Sequence, residues 1–182
     1  TAEQTGRYCV QLENCNYDRV ELMVLNMVRQ NVLGELVHAR CGYLHDLRAG
    51  KFSQRAGRKL WRLDHSIRRN GDLYPTHGLG PVAQCLNINR GNQFDHLVSI
   101  GSKSQGLHEY AVAEFGADSP QAKLDFALSD VVTSLIRTRA GQTVVLTHDT
   151  NTARPYSRDF TIQGSKGIVE KYPEARVYLD GR

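Results

Sequence analysis

The chain has 182 residues, 40% of them hydrophobic and 23% charged, and a formal net charge of +4. This composition is ordinary for a globular domain with a sizeable core. The Lys and Arg residues are scattered among acids rather than gathered in a basic stripe, which argues against nucleic-acid binding, and no apolar run approaches the roughly 18 residues of a membrane span.

The first 46 residues predict a strand, a helix and a second strand. Residues 7–14 alternate apolar and polar side chains, which is typical of a strand. Residues 16–34 carry apolar side chains at helical spacing, and a glycine ends this predicted helix. Residues 34–46 predict a second strand, with Tyr43 on the same face as the alternating apolar residues.

The middle of the chain is more irregular. Residues 47–75 are polar and basic with little periodicity, and such long connections are usually functional or mobile. Residues 78–89 predict a helix with Pro81 near its first turn, where the missing N–H costs nothing. A strand is predicted at residues 94–102 and a helix at residues 105–116.

From Asp130 onward the pattern changes to short strands separated by turn signals. The five predicted strands lie at residues 130–139, 140–150, 157–165, 166–172 and 175–180. Their succession predicts an antiparallel meander. Together with the preceding helices it predicts an α+β fold, in which one open, mainly antiparallel sheet carries helices on one face. The other face would be free for a partner or a second subunit.

The stretch YPTHG, at residues 74–78, enters a predicted helix and holds the first candidate functional side chains. A helix N-terminus disfavours a charged imidazolium and attracts anions. A neutral His77 at this position is therefore able to take a proton from a hydroxyl at neutral pH. The structural alternative is that His77 caps the helix or packs against it, and spacing alone does not exclude this alternative.

Four other side chains are candidates, each with a structural alternative. Tyr43 needs a nearby cation to act as a base, because an unperturbed tyrosine has a pKa near ~10; otherwise it is a half-buried strand residue. Arg62 beside Trp61 is able to hold a sugar by stacking and hydrogen bonds, or is a surface arginine. Glu13 ends the first predicted strand, where its carboxylate is well placed to bind a ligand or to pair with a neighbouring arginine. Tyr156 lies in a turn between predicted strands, where it either binds a ligand or packs at the protein surface.

The sequence shows no familiar metal or dinucleotide motif. The seven histidines show no HExxH spacing, and the four cysteines form no CxxC pair. No GxGxxG or P-loop pattern is present. We therefore expect no metal site, and no complete dinucleotide site within this chain.

Several segments together resemble one known family. The segments are LENCNYDR (12–19), VLNMVRQNVLGELVHARCGYLHDLR (24–48), NGDLYPTHGLGPVAQCLNINRGN (70–92), HDTNTARPYSR (148–158) and GSKG (164–167). They are similar to the NAD-dependent α-N-acetylgalactosaminidases of the Gfo/Idh/MocA superfamily, glycoside hydrolase family 109. The resemblance covers most of the chain, and NGDLYPTHGLGP is its most specific part.

The resemblance implies a two-domain protein. Residues 1–14 would be a remnant of a Rossmann domain that binds NAD, namely its last strand, and residues 15–182 would be the α/β substrate-binding and oligomerisation domain. The glycine-rich cofactor turn and the Glu-Lys-Pro motif of the superfamily are absent, so we expect a fragment that is inactive alone. Similar enzymes are bacterial. Their compartment stays open between exported and cytoplasmic, because the first residues show no signal-peptide pattern.

The resemblance also implies roles for individual residues. Glu13, Arg62, Tyr74 and Tyr156 would bind the sugar, and His77 and Tyr43 would be catalytic. In the implied route, bound NAD oxidises the sugar's C3 hydroxyl while His77 takes its proton. The new ketone acidifies the C2 proton, which Tyr43 removes, and the C1 group is eliminated before water adds and the hydride returns. Such a route needs bases near C3–OH and C2–H instead of the carboxylate pair of ordinary glycosidases.

Two other functions stay open from the sequence. A sugar dehydrogenase of the same superfamily would have the same fold and pocket but a net redox turnover. A non-catalytic domain would instead use the open face of the sheet to form a homo-oligomer.

Overall fold

The computed structural model describes residues 1–10, 12–53 and 60–181. The helices are α1 (Ala2–Thr5), α2 (Arg19–Arg29), α3 (Arg48–Phe52), α4 (Trp61–Arg68), α5 (Thr76–Cys85) and α6 (Gly106–Phe115), with a 3₁₀ turn at Asn14–Tyr17. The strands are β1 (Leu36–Leu44), β2 (Phe94–Gly101), β3 (Val132–Thr138), β4 (Thr143–Asp149), β5 (Thr161–Gly164), β6 (Gly167–Glu170) and β7 (Arg176–Leu179). None of the helices in these ranges is long and apolar enough to cross a lipid bilayer.

The seven strands form one open sheet in the order β2-β3-β4-β1-β5-β6-β7. Neighbouring strands are antiparallel except for β1 and β4, which run parallel. The carboxyl ends of β1 and β4 therefore meet at the same edge of the sheet. At this edge Tyr43 of β1 is paired in register with His148 of β4.

One face of the sheet is covered by helices, and the other is open. The covered face and the helices share one core, which includes Val24, Leu25, Ala39, Cys41, Val82, Cys85, Ile136, Val144, Leu146, Ile162 and Val169. On the open face, Val98 of β2 and Leu135 of β3 are direct neighbours, 60% and 53% exposed. The predicted α+β fold with one open sheet face is confirmed.

Two predicted features of the first half of the chain are wrong. Residues 7–10, 12 and 13 form no strand, and Tyr8 is 99% exposed because no described strand pairs with this segment. The helix predicted at residues 78–89 begins earlier, at Thr76, so Pro81 lies inside α5 instead of in its first turn. A proline there removes the helical hydrogen bond that would end on the His77 carbonyl oxygen.

Two predictions about connections also need correction. Residues 47–75 are not wholly irregular, because they include α3 and α4; residues 54–59 lie outside the described ranges. All five predicted C-terminal strands are present, but they do not form a continuous meander. The strand β1 lies between β4 and β5, so the chain leaves the meander pattern after β4.

The helix α5 lies against β1 at a contact between two glycines. A Cβ atom added to Gly78 would lie 2.7 Å from the backbone nitrogen of Gly42 and 3.1 Å from its Cα. Nonbonded heavy atoms do not approach so closely in a packed interior, so any larger residue at position 78 would force α5 away from the sheet. His77 directly precedes Gly78, and Tyr43 directly follows Gly42. The contact between the glycines therefore sets the distance between the His77 and Tyr43 side chains.

We expect Gly78→Ala to lower the free energy of unfolding by about 1–3 kcal/mol, because the added methyl group overpacks the contact between α5 and β1. Urea unfolding followed by circular dichroism measures the change. The matched control is Gly50→Ala on α3, where an added Cβ meets nothing within 4 Å and alanine favours the helix. Equal stability of the two variants would contradict the packing argument.

Candidate active site

Tyr43, near the carboxyl end of β1, is the centre of a cluster of aromatic and imidazole rings. Its ring centroid lies 4.9 Å from that of His77 and 5.3 Å from that of Tyr74. The ring of Tyr156 lies 6.5 Å away. Tyr74 and His77 are themselves in edge-to-face contact at 4.4 Å. The structure thus brings four of the six predicted site residues together.

The environment of Tyr43 favours its protonated form. Burial raises the pKa of Tyr43, and the charge of Arg62 offsets this effect only in part. The phenol oxygen lies 3.2 Å from Nδ1 of His45, within hydrogen-bond distance. Tyr43 therefore has a proton acceptor within reach, which an isolated buried tyrosine would lack.

His77 is held by Glu13. Nδ1 of His77 lies 2.6 Å from Oε1 of Glu13, and the backbone N–H of Cys15 donates to the same oxygen at 3.1 Å. Burial alone would raise the pKa of Glu13, but the hydrogen bonds from Cys15 and His77 outweigh it and hold that pKa below its usual value. An ionised Glu13 accepts the Nδ1 proton of a neutral imidazole, which leaves Nε2 of His77 free as an acceptor.

Tyr156 reaches the cluster from the loop between β4 and β5. The next residue, Ser157, exchanges backbone hydrogen bonds of 2.8 and 3.0 Å with Leu44 at the end of β1, which fixes the loop. The ring of Tyr156 lies 5.0 Å from that of His45, and burial raises its pKa to about 12. Tyr156 is therefore a neutral hydrogen-bonding phenol at the wall of the site.

Arg62 of α4 lies outside the ring cluster. Its guanidinium stacks over the Trp61 ring at 4.2 Å. Arg62 shares a small cavity with Tyr43 and Tyr74, so it is close to the cluster. The other five predicted residues thus lie near Tyr43: three in the ring cluster, Glu13 behind His77 and Arg62 in the cavity that Tyr43 also lines.

Three further ionisable side chains of this region were missed from the sequence. His45 follows Tyr43 by two residues, and the alternation of the predicted strand was a signal that both share a face. Lys51 lay within a stretch predicted to be irregular, and nothing in its pattern indicated burial. His148 sits beside Tyr43 only because β1 and β4 pair in parallel, a pairing that no local pattern reveals.

Lys51 and His148 form a buried basic group behind Tyr43. Lys51 is 2% exposed, and its Nζ donates to Oγ1 of Thr150 at 2.9 Å and to Oδ1 of Asn151. Burial lowers the pKa of Lys51 to about 7. His148 is 1% exposed, and burial together with the charge of Lys51 lowers its pKa to about 4.

Glu13, Cys15 and His77 place one potential metal-ligand atom each within 4.8 Å of one another. The hydrogen bonds on Glu13 account for this closeness without an ion. Burial raises the pKa of the Cys15 thiol to about 11. The contacts described for this group are hydrogen bonds that anchor His77.

Comparison with known proteins extends the resemblance seen in the sequence. Residues 17–182 match the family model described as Glycosyl hydrolase 109, C-terminal domain. The chain is 48% identical over 198 residues to a protein of Tannerella forsythia named alpha-N-acetylgalactosaminidase, which covers 100% of this chain and 42% of that protein. The chain thus spans less than half the length of this relative.

Two solved structures show the same fold at low sequence identity. An NAD binding oxidoreductase from Klebsiella pneumoniae superposes with a TM-score of 0.69 at 16% identity, over 100% of this chain and 45% of that one. An inositol dehydrogenase homolog from Azotobacter vinelandii, complexed with NADH and myo-inositol, gives 0.63 at 13% identity, again over 100% and 45%. At such identities the likeness shows the fold alone.

The lowered pKa of Lys51 has a consequence for stability. The folded-state pKa, about 7, lies below the ordinary value of 10.5, so between these limits the unfolded chain binds the extra proton. The free energy of unfolding therefore rises with pH in this window, by about 1 kcal/mol per pH unit from this group.

Urea unfolding between pH 7 and pH 9 measures this slope. We expect Lys51→Met to lose the contribution, while Lys103→Met, at an exposed position, keeps it. If the Lys51→Met protein shows the wild-type slope, Lys51 does not titrate as described.

Proposed function

Because the chain belongs to glycoside hydrolase family 109, we propose that it forms the sugar-binding and proton-transferring part of an NAD-dependent glycosidase. The substrate we propose is a terminal α-linked N-acetylgalactosamine, after the name of the relative that is 48% identical. This activity is a property of the full-length protein, since the chain spans 42% of that relative.

The observation that carries the proposal is the composition of the ring cluster. Ordinary glycosidases place two carboxyl groups across the scissile bond, one acid and one base or nucleophile. Two carboxyl groups of the described residues are hydrogen-bonded to the ring cluster: Glu13 accepts from His77 and Cys15, and Asp72 accepts from the backbone N–H of Tyr74. The groups that surround Tyr43 itself are phenols and imidazoles. Phenols and imidazoles suit proton removal from C–H and O–H groups instead, as an elimination route requires.

His77 is the proposed base for the C3 hydroxyl. Glu13 accepts the hydrogen bond at Nδ1, which turns the unprotonated Nε2 of His77 toward a substrate proton. The negative charge of Glu13 also stabilises the imidazolium that forms when His77 takes the proton. Glu13 is thus proposed to position His77 as well as to bind the sugar.

Tyr43 is the proposed base for the C2 proton, with His45 as its proton acceptor. When the C3 position is a ketone, the C2–H bond becomes acidic, and the Tyr43 oxygen takes that proton while its own proton moves to Nδ1 of His45. The C1–O bond then breaks, and the leaving oxygen takes a proton from solvent. Water adds its oxygen to C1 and releases a proton to solvent, Tyr43 returns its proton to C2, and His45 returns its proton to Tyr43.

Tyr74, Tyr156 and Arg62 are the proposed sugar-binding groups. Tyr74 and Tyr156 present phenols and ring edges at two sides of Tyr43. Such surfaces stack on sugars and donate hydrogen bonds to hydroxyl groups. Arg62 is held by its stacking on Trp61 and adds a fixed positive charge.

NAD is a proposal for the full-length protein. It would supply the oxidation and the later reduction at C3. The described part of this chain contains no glycine-rich phosphate turn, and we propose that other residues of the full-length protein bind the NAD phosphates. Complexes with NADH are seen in structural relatives such as the inositol dehydrogenase homolog, which supports the proposal at the level of the fold.

We expect the full-length protein to release many dye molecules per enzyme from a chromogenic α-N-acetylgalactosaminide without added NAD. Tyr43→Phe keeps the ring but removes the phenol oxygen, and it should lower the release rate by at least about 100-fold. The control is Tyr178→Phe on β7, a tyrosine that is 52% exposed and should not affect the rate.

A different outcome would identify the alternative function. Release of dye only in step with accumulating NADH indicates a sugar dehydrogenase of the same superfamily. Turnover in the Tyr43→Phe protein at the control rate would instead show that the glycosidase uses another base.

A second proposed property is a homo-oligomer formed through the open face of the sheet. Val98, Ile100 and Leu135 are 60%, 71% and 53% exposed there, and a patch of this kind favours a protein partner. We expect sedimentation equilibrium to give a multiple of the chain mass, and Leu135→Lys to give the monomer mass. Leu22→Lys on α2 is the control, and a wild-type monomer at high concentration would overturn the proposal.

A further inference from the structure

A small cavity lies behind Tyr43, on the side away from the ring of Tyr156. Its walls include three basic side chains, Lys51, Arg62 and His148, together with Tyr43 and Thr150. No acidic residue lines it among the described residues. The space measures about 20 Å³, which admits one sphere of about the size of a water molecule.

Lys51 is buried in this wall without a carboxylate partner in the described part of the chain. Its hydrogen-bond acceptors, Thr150 and Asn151, are neutral. The nearest acids are engaged elsewhere: Asp149 pairs with Arg154 at 3.1 Å, and Asp130 accepts the backbone N–H groups of Gln105 and Gly106. Buried cations are ordinarily paired with an acid. In the described residues, the third N–H of Lys51 has no such anionic acceptor.

His148 also has an unpartnered buried atom, and Arg62 is a partly exposed cation beside it. Nδ1 of His148 is buried and has no hydrogen-bond partner in the residues described. Over the same residues the Arg62 guanidinium makes no hydrogen bond and contacts the face of Trp61. Three donors therefore face one small space from three elements: α3, α4 and β4.

We propose that this cavity binds a single small anion, of the size of chloride. The Nζ–H of Lys51, the N–H groups of Arg62 and a neutral His148 with its proton on Nδ1 donate to it. Chloride and bromide are the probes we use, because each is a single atom. The cavity shares Tyr43, Tyr74 and Arg62 with the proposed sugar site, so its occupancy is measured in the absence of sugar.

Anion binding is linked to the protonation of Lys51. Groups that face Lys51 are His148 and Asp149 from β4, Arg62 from α4 and Asp130 before β3, and the two acids favour its charged form. An anion in the cavity adds to that effect and raises the pKa of Lys51 above about 7. Affinity should therefore be higher at pH 6 than at pH 8.5, where Arg62 alone carries the charge.

The first test compares the thermal unfolding midpoint of the 182-residue chain in chloride and in gluconate, at equal ionic strength and pH 6. Gluconate is too large for the cavity. We expect chloride to raise Tm by about 3–6 °C when its concentration is about ten times Kd, and the difference to shrink at pH 8.5. Lys51→Met should abolish the difference, and Lys103→Met should keep it. Equal Tm values for the wild-type chain in the two salts would overturn the proposal.

A second measurement does not depend on whether the Lys51→Met protein folds. Crystals of the wild-type chain soaked in bromide should give one anomalous peak between Lys51, Arg62 and His148. Density for water at that point, with these side chains ordered and no bromide signal, would overturn the proposal.

Discussion

The contact between Gly78 and Gly42 is the constraint on which the site depends. Two residues without side chains allow the backbone of α5 to approach β1 within a distance that a Cβ would forbid. At this separation His77, the residue before Gly78, meets Tyr43, the residue after Gly42, with ring centroids 4.9 Å apart. The chemistry of the site thus rests on a backbone contact in the core, and the rings themselves add packing energy of about 0.5–1.5 kcal/mol per pair.

The parallel pairing of β1 with β4 is the second determinant. In a purely antiparallel meander, the ends of consecutive strands would alternate between the two edges of the sheet. Inserting β1 beside β4 brings two carboxyl ends to one edge. Tyr43 lies at that edge near the end of β1. The loop that follows β4 brings Tyr156 to the same edge. Ligand sites at the carboxyl ends of strands follow the same logic in open α/β sheets.

Local patterns in the sequence predicted most elements and the open face of the sheet, because hydrophobic periodicity reports the burial of each segment. The early strand failed because a strand exists only with a partner: Tyr8 and Val10 alternate correctly but are exposed. The order of strands was equally beyond local patterns. Of the site, the six residues named from the family resemblance lie in one region of the structure, and their roles stay predictions. Lys51 and His148 escaped because their burial is produced by contacts about 100 residues apart in the chain.

Tyr43 separates two electrostatic environments, and the balance between them sets its chemistry. On one side its oxygen lies 3.2 Å from Nδ1 of His45. On the other side Arg62 favours the phenolate, and burial opposes it more strongly. An anion behind Tyr43 would cancel part of the field of Arg62 and raise the pKa of the phenol further. Free phenolate then becomes less accessible, whereas transfer of the Tyr43 proton to His45 in the same step as C2–H removal needs no free phenolate. A cationic cavity and an imidazole acceptor are thus two distinct ways to make a buried tyrosine a base, and the short contact with His45 favours the second.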